Sequence, residues 1–274
     1  MIYKFIQPSP HLQSFVKDYL LVHFVFDENS AIPVKPFPAS TLQCLIFYIK
    51  GVVTTYIPAS GKMITLPRIA VNGSLTSRLD YTISNDFLIL SVAFHSCALS
   101  KFLRLPLTEF VDERVDAEAI LNPDIHRTHQ RMLNATSYEN IIQIAEEYLS
   151  KRILNLKTDF LPIDKVAALI PDNTEFFTIE KMASEACLSI SQFERKFIQL
   201  TGITPKFFTR ICRFYNAYQL KDRYPKSDWL SIALKAGYYD YQHLVKDFKQ
   251  FADVAPHSLL EAQAKAPERI LGIG

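Results

Sequence analysis

The sequence predicts an α+β chain, in which a small β-barrel or sandwich with accompanying helices precedes an all-α region. Three observations predict it. Between Leu20 and Phe94, short runs dense in β-branched and aromatic residues are punctuated by Pro and Gly. From Tyr138 onward the apolar residues fall at helical spacing, and between Ile179 and Phe251 one helical pattern is written twice.

The length of 274 residues allows two domains of ordinary size, and 49% apolar residues are enough for real cores. No stretch of about 18 uncharged apolar residues is present to span a bilayer. The start, Met1-Ile2-Tyr3-Lys4-Phe5, lacks the apolar run of a secretory signal, so the cytoplasm is the expected compartment. Cys44, Cys97, Cys187 and Cys212 are far apart and none stands at metal-ligand spacing. Buried reduced thiols are expected, with neither cofactor nor metal.

The strands are read in order. Leu20 to Phe26 and Leu42 to Ile49 are the densest runs, and Val52–Ile57, Lys62–Thr65, Arg68–Val71, Arg78–Ile83 and Phe87–Phe94 follow. Pro33, Pro36, Pro38, Pro58, Gly61, Pro67 and Gly73 separate them, as close turns in a barrel or sandwich require. His11 to Val16 is expected to form a short leading helix. After about His95 the pattern turns helical. Tyr138 to Leu154 carries a broad apolar stripe at 141, 142, 144, 145, 148, 149 and 153. That stripe needs a partner, either the chain's own core or a second copy. A linker near Thr158 to Pro162 divides the chain into residues 1–157 and 158–274.

The repeat carries the functional reading. Phe193, Phe197 and Leu200 recur 51 residues later as Leu244, Phe248 and Phe251, and Pro205 recurs as Pro256. Ala183 and Cys187 correspond to Ala233 and Gly237. Each unit has the grammar of a helix-turn-helix. In the first, Ile179, Met182, Ala183 and Ala186 form a short helix and Cys187-Leu188 the turn. Ser189 and Gln192 then have the spacing of a capping box. In the second, Asp228 caps a helix containing Ile232, Ala233 and Ala236. Gly237 ends it in a left-handed conformation, Tyr238 enters the core and Asp240 caps the next helix. Thr204-Pro205 opens a connecting helix that runs to about Lys221. At 1.5 Å per residue it spans about 25 Å, a plausible strut between two helices placed one DNA turn apart.

Net charge is only +2, but between Thr178 and Lys249 there are 12 Lys and Arg against 7 Asp and Glu. This surplus of +5 is compatible with phosphate binding.

From Thr178 to Glu261 the chain resembles the DNA-binding domain of the AraC/XylS family of bacterial transcription regulators. The most specific piece runs from Ile232-Ala233 through Gly237-Tyr238 to Leu244, Lys246, Phe248 and Lys249. Ala183, Leu188-Ser189, Phe193, Arg195, Phe197, Gly202 and Pro205 match in the first unit, and Arg213, Ala217 and Leu220 in the connecting helix. Three positions depart from the pattern: Cys187 and Asp253 stand where glycine is usual, and Lys246 where arginine is commoner. Lys246 lacks the bidentate fork, which suits it to phosphate. The strand-rich N-terminal part is similar to the barrel-like sensory domains of many members. The resemblance implies double-stranded promoter DNA as partner, RNA polymerase as a second one, a small-molecule effector, a homodimer and no membrane.

Major-groove readout uses side chains near the N-terminal half of a recognition helix. Those are Ser191, Gln192, Glu194 and Arg195 in the first unit, and Tyr241, Gln242, His243 and Lys246 in the second. Arg195 is placed on guanine and Gln242 on adenine, and Glu194 suits cytosine. Tyr241 and His243 are assigned to phosphate, and Arg210 and Lys249 complete the set. The rival is a metal-dependent cupin-type enzyme in the first half with an accessory helical domain. It would need converging His and carboxylate ligands. The strand region offers only His23 and His95, and His126 and His129 lie three apart on an expected helix. His95 and Cys97 would share one face at a strand end, where core packing explains them better than a nucleophile pair.

Overall fold

The computed structural model describes residues 1–156, 159–174 and 178–273. The boundary read between 157 and 158, the linker's first residue Thr158, and Gly274 lie outside the described residues.

Ten strands come first: β1 (Ile2–Ile6), β2 (Val16–Val25), β3 (Lys35–Phe37), β4 (Gln43–Lys50), β5 (Val53–Ile57), β6 (Lys62–Thr65), β7 (Ile69–Asn72), β8 (Leu79–Ile83), β9 (Asp86–Phe94) and, after α1 (Ala98–Leu103), β10 (Arg114–Asp116). They form two antiparallel sheets, one of six strands in the order β1-β2-β9-β4-β7-β10 and one of four in the order β3-β8-β5-β6. Helices α2 (Ala117–Ile120), α3 (Asp124–Leu133) and α4 (Tyr138–Leu154) follow.

Alternation along the strands separates two interiors. Leu45 and Phe47 on β4, with Leu90 and Val92 on β9, face the helices. Their neighbours Cys44, Ile46, Tyr48, Ile89 and Ser91 face the second sheet and line the space between the sheets. The α4 stripe is covered by the first of these interiors. Ile141, Ile144, Ala145, Tyr148 and Leu149 are all buried in it, so the partner of this stripe is the chain's own core.

The leading helix expected over His11–Val16 is also corrected. Pro10 starts a single 3-10 turn over Pro10–Leu12, and Val16 already pairs with Phe94 as the first residue of β2. The ladder outweighs the weak helical tendency of a β-branched residue. Cys97 does not share a strand face with His95. It follows the end of β9, at φ 73°, as the residue that opens α1.

The remaining helices are α5 (Pro162–Leu169), α6 (Ile179–Glu185), α7 (Ile190–Thr201), α8 (Pro205–Arg223), α9 (Trp229–Lys235), α10 (Tyr241–Ala252), α11 (Pro256–Gln263) and α12 (Pro267–Ile270). All but α12 contribute to a separate core centred on Phe193, Phe197, Phe208, Phe214, Phe248 and Phe251, each fully buried. Burying one such ring contributes roughly 1.5–3 kcal/mol. Ala39 and Cys97 from the strand region also belong to this core, so the two parts are packed together. No helix among the described residues is long and apolar enough to cross a membrane.

Candidate nucleic-acid interface

The two units are built from the same local bonds. In the first, α6 buries Met182 and Ala183, and the small Ala183 allows close crossing by α7. The Leu188 amide donates to the Ala183 carbonyl over 2.9 Å, with Cys187 between them at φ 55°. In the second, the Tyr238 amide donates to the Ala233 carbonyl over 2.9 Å, with Gly237 at φ 81°. The turns therefore coincide 50 residues apart, and Cys187 holds the left-handed conformation that suits glycine. Asp253, the other departure from glycine, is likewise left-handed at φ 56°.

α7 and α10 each begin on a side-chain cap. Ser189 Oγ accepts from the Gln192 amide, and Gln192 Oε1 accepts in return from the Ser189 amide over 3.2 Å. Asp240 Oδ1 accepts from the His243 amide over 2.8 Å. That backbone bond holds the Asp240 carboxyl below its ordinary range, charged at the positive end of α10. Asp228 caps α9 by accepting from the Ser231 amide at 2.9 Å. The hydroxyl of Ser231 bonds the same carboxylate and, with the amide second, holds it below its ordinary range. Between the units, Thr204 caps α8, whose 19 residues extend about 28 Å at 1.5 Å each.

A buried carboxylate locks α8 to α10. Asp247 on α10 receives Arg210 Nη2 at 2.5 Å, the Tyr238 hydroxyl at 3.0 Å and Arg213 Nη2 at 3.7 Å. Arg210 also donates to Gln250 and lies over the rings of Phe207 and Phe251. Its guanidinium, expected on DNA, is thus engaged between α8 and α10.

The strand region holds the C-terminal ends of both α7 and α10. Ser74 Oγ donates to the Thr201 carbonyl at the end of α7 over 2.8 Å, and both residues are fully buried. Gly202, the next residue, is at φ 86° and so close to the strand region that a Cβ there would lie 2.5 Å from Val111 Cγ2 and 2.7 Å from the Leu107 carbonyl. At the end of α10, the Ala39 amide donates to the Phe251 carbonyl over 2.8 Å.

Between the two sheets lies a cavity of about 170 Å³, walled mostly by apolar side chains. Gly73, Leu75, Ser40 and Leu42 line it, and these residues neighbour Ser74 and Ala39. At its mouth Lys35 pairs with Glu268 of α12, Nζ to Oε1, at 2.5 Å.

Residues 182–262 match a family described as a helix-turn-helix domain, a span reaching from α6 into α11. The C-terminal segment is a helix-turn-helix domain of the AraC type. Residues 4–116 match a family described as a domain of unknown function, DUF6597. A comparison with curated proteins finds no match. Among solved structures the chain is similar to ToxT from Vibrio cholerae, at 13% identity and a TM-score of 0.49 over 89% of this chain and 98% of that one. It is also similar to wild-type ToxT from Vibrio cholerae strain SCE256 with an unsaturated fatty acid bound (11%, TM-score 0.44, 88% and 95%). The AraC-like transcriptional activator CuxR is a further similar structure (12%, TM-score 0.29, 73% and 77%).

Within the AraC-type domain, the expected contact residues fall in two groups. Ser191, Gln192, Glu194 and Arg195 on α7 are exposed, as are Gln242, His243, Lys246 and Lys249 on α10. Arg195, Lys246 and Lys249 enter no ion pair among the described residues. Tyr241 is half-buried against the core, Gln192 is engaged in its capping box, and the His243 ring bonds Asp240 at 2.9 Å.

The histidines of the rival reading are dispersed. His23 bonds Tyr138 and Asp86, His95 the Gln13 carbonyl, His126 Glu118, and His129 the Tyr48 carbonyl. Sequence reasoning missed Arg114, Asn72 and Tyr81 in the cavity wall. A cation inside the Arg114-Val115-Asp116 run was a signal, but three residues are too few to reveal a strand.

Proposed function

We propose that the chain is a sequence-specific transcription regulator that binds promoter DNA through residues 158–274 and responds to a small molecule through residues 1–157. The supporting observation is that α7 and α10 start on side-chain caps, anchor through aromatic residues, and leave their polar sides uncovered. A helix so presented fits the major groove, with side chains of its first turns at base edges. Arg195 is assigned to guanine, Glu194 to cytosine and Gln242 to adenine, with Ser191 and Gln192 beside them. Tyr241, His243, Lys246 and Lys249 are assigned to phosphate. Arg210 is reassigned as a strut residue.

The response to a ligand follows from which residues share the loops. The residues beside Ser74 and Ala39 line the cavity, while Ser74 and Ala39 themselves hold the ends of α7 and α10. A molecule that shifts those loops acts on both recognition helices together. RNA polymerase as partner, a homodimer through another surface, and a cytoplasmic location complete the reading.

Footprinting of the full chain on DNA upstream of its own gene tests it. The expected result is a protected region of about two helical turns, with affinity falling steeply as salt rises. Absence of any protected region contradicts the reading.

A further inference from the structure

Two cations line the cavity between the sheets, and their surroundings differ. Lys35 is neutralised by Glu268. Arg114 has no carboxylate partner among the described residues. Its Nε and Nη2 donate to the Tyr81 hydroxyl at 3.3 and 3.2 Å, and its Nη1 to the Glu113 carbonyl at 2.9 Å. A guanidinium cannot shed its proton, and a charge facing an apolar space is unfavourable without a counter-charge. Asn72 stands beside it with a buried amide oxygen that has no hydrogen-bond partner among the described residues.

Strand register grades the cavity from one end to the other. Arg114 lies opposite Asn72, and Asn72 opposite Cys44, so one cross-strand row is polar. Burial holds the Cys44 thiol above its ordinary range, so that row carries no anion of its own. Two residues along β4 and β9 come Ile46, Ser91 and Leu20, and after them Tyr48, Ile89 and Val22. Phe24, Val53 and Phe87 close the far end. One end is cationic and the body is apolar. The volume of about 170 Å³ compares with the roughly 150 Å³ in which a dry engineered cavity holds benzene.

We infer that the cavity binds a small monocarboxylate, its acid group on Arg114 and a single ring or short branched chain along the apolar rows. This rests on the ligand-responsive reading of the N-terminal region and adds to it a chemical class and an anchor. A carboxylate accepts two parallel bonds from the guanidinium, which fixes its orientation. Long chains are excluded by size.

Calorimetry on the full chain tests it, with phenylacetate, cyclohexanecarboxylate, decanoate and 2-phenylacetamide, the last being an uncharged match in shape. Phenylacetate or cyclohexanecarboxylate is expected to bind at least tenfold tighter than the amide and than decanoate. Arg114→Met is expected to abolish that preference. Should this variant not fold, Tyr81→Phe keeps the ring, removes the hydroxyl that holds the guanidinium, and is expected to narrow the ratio. Equal binding of acid and amide overturns the class while leaving a ligand cavity. Binding of none of the four overturns the proposal. A fluorescent duplex from the upstream region, titrated into the same sample, separates the two readings, because its failure to bind counts against the regulator whatever the acids do.

Discussion

Ser74 and Thr201, 127 positions apart, are joined by a buried 2.8 Å hydrogen bond in which the serine hydroxyl donates to the last carbonyl of α7. Helix ends leave carbonyls that need outside donors, and this one is supplied by the strand region. Ser74→Ala removes the donor and leaves the carbonyl enclosed. A loss of about 1–3 kcal/mol is expected, read from denaturant unfolding of the full chain. Unchanged stability contradicts the coupling.

Gly202 and Gly61 offer a matched comparison. Both have positive φ, +86° and +67°, but a Cβ at Gly61 meets nothing within 4 Å, whereas at Gly202 it meets Val111 and Leu107. Alanine at either position carries a backbone penalty of roughly 1–2 kcal/mol. Gly202→Ala is expected to exceed Gly61→Ala by a further 1 kcal/mol or more, of the order seen for overpacking. Equal melting shifts for the two variants show that the close approach is not present.

Arg210 and Lys246 separate a structural cation from a DNA-facing one. Arg210→Ala breaks the partly exposed pair with the buried Asp247, and is expected to lower stability by about 1–3 kcal/mol after allowance for solvent screening. Its effect on the salt dependence of DNA binding is expected to be small. Lys246→Ala is expected to leave stability alone and reduce the salt slope by about 1, the signature of a lost phosphate contact. An inverted pattern, with Arg210 changing the slope, returns that residue to the DNA surface.

Arg195 is the residue assigned to a base. Arg195→Ala is expected to weaken the preferred sequence by about 1–3 kcal/mol while relaxing choice at one base pair. Competition with single-base variants of the footprinted site measures both. Uniform weakening across all variants reassigns Arg195 to phosphate.

Much of this architecture was legible in the residues because it is local. The caps at Ser189, Asp228 and Asp240, the turns at Cys187 and Gly237, and the 51-residue recurrence of three apolar positions are patterns of neighbours along the chain. The long strands β2, β4 and β9 were legible for the same reason, each being dense in β-branched and aromatic residues over eight residues or more. β1, β3 and β10 were not. The first carries an exposed Lys4 and Phe5, the second a proline, and the third only three residues, and each gains its conformation from a neighbour in a sheet. The cavity was illegible for a further reason. Its wall is assembled from alternate residues of two sheets, and the register that sets Arg114 beside Asn72 and Cys44 belongs to no single segment. Likewise the partner of the α4 stripe and the inward turn of Arg210 depend on contacts between distant elements.

The central claim is that α7 and α10 occupy successive major grooves of one duplex, tied by α8. Binding of the full chain to its footprinted site should be compared with binding after insertion of about 5 or 10 base pairs between the two half-sites. A half-turn insertion puts the second groove on the opposite face of the DNA, and a full turn moves it beyond the reach of a 19-residue strut. The expected result is a loss of at least tenfold for both insertions. Affinity that is indifferent to the spacing contradicts the claim.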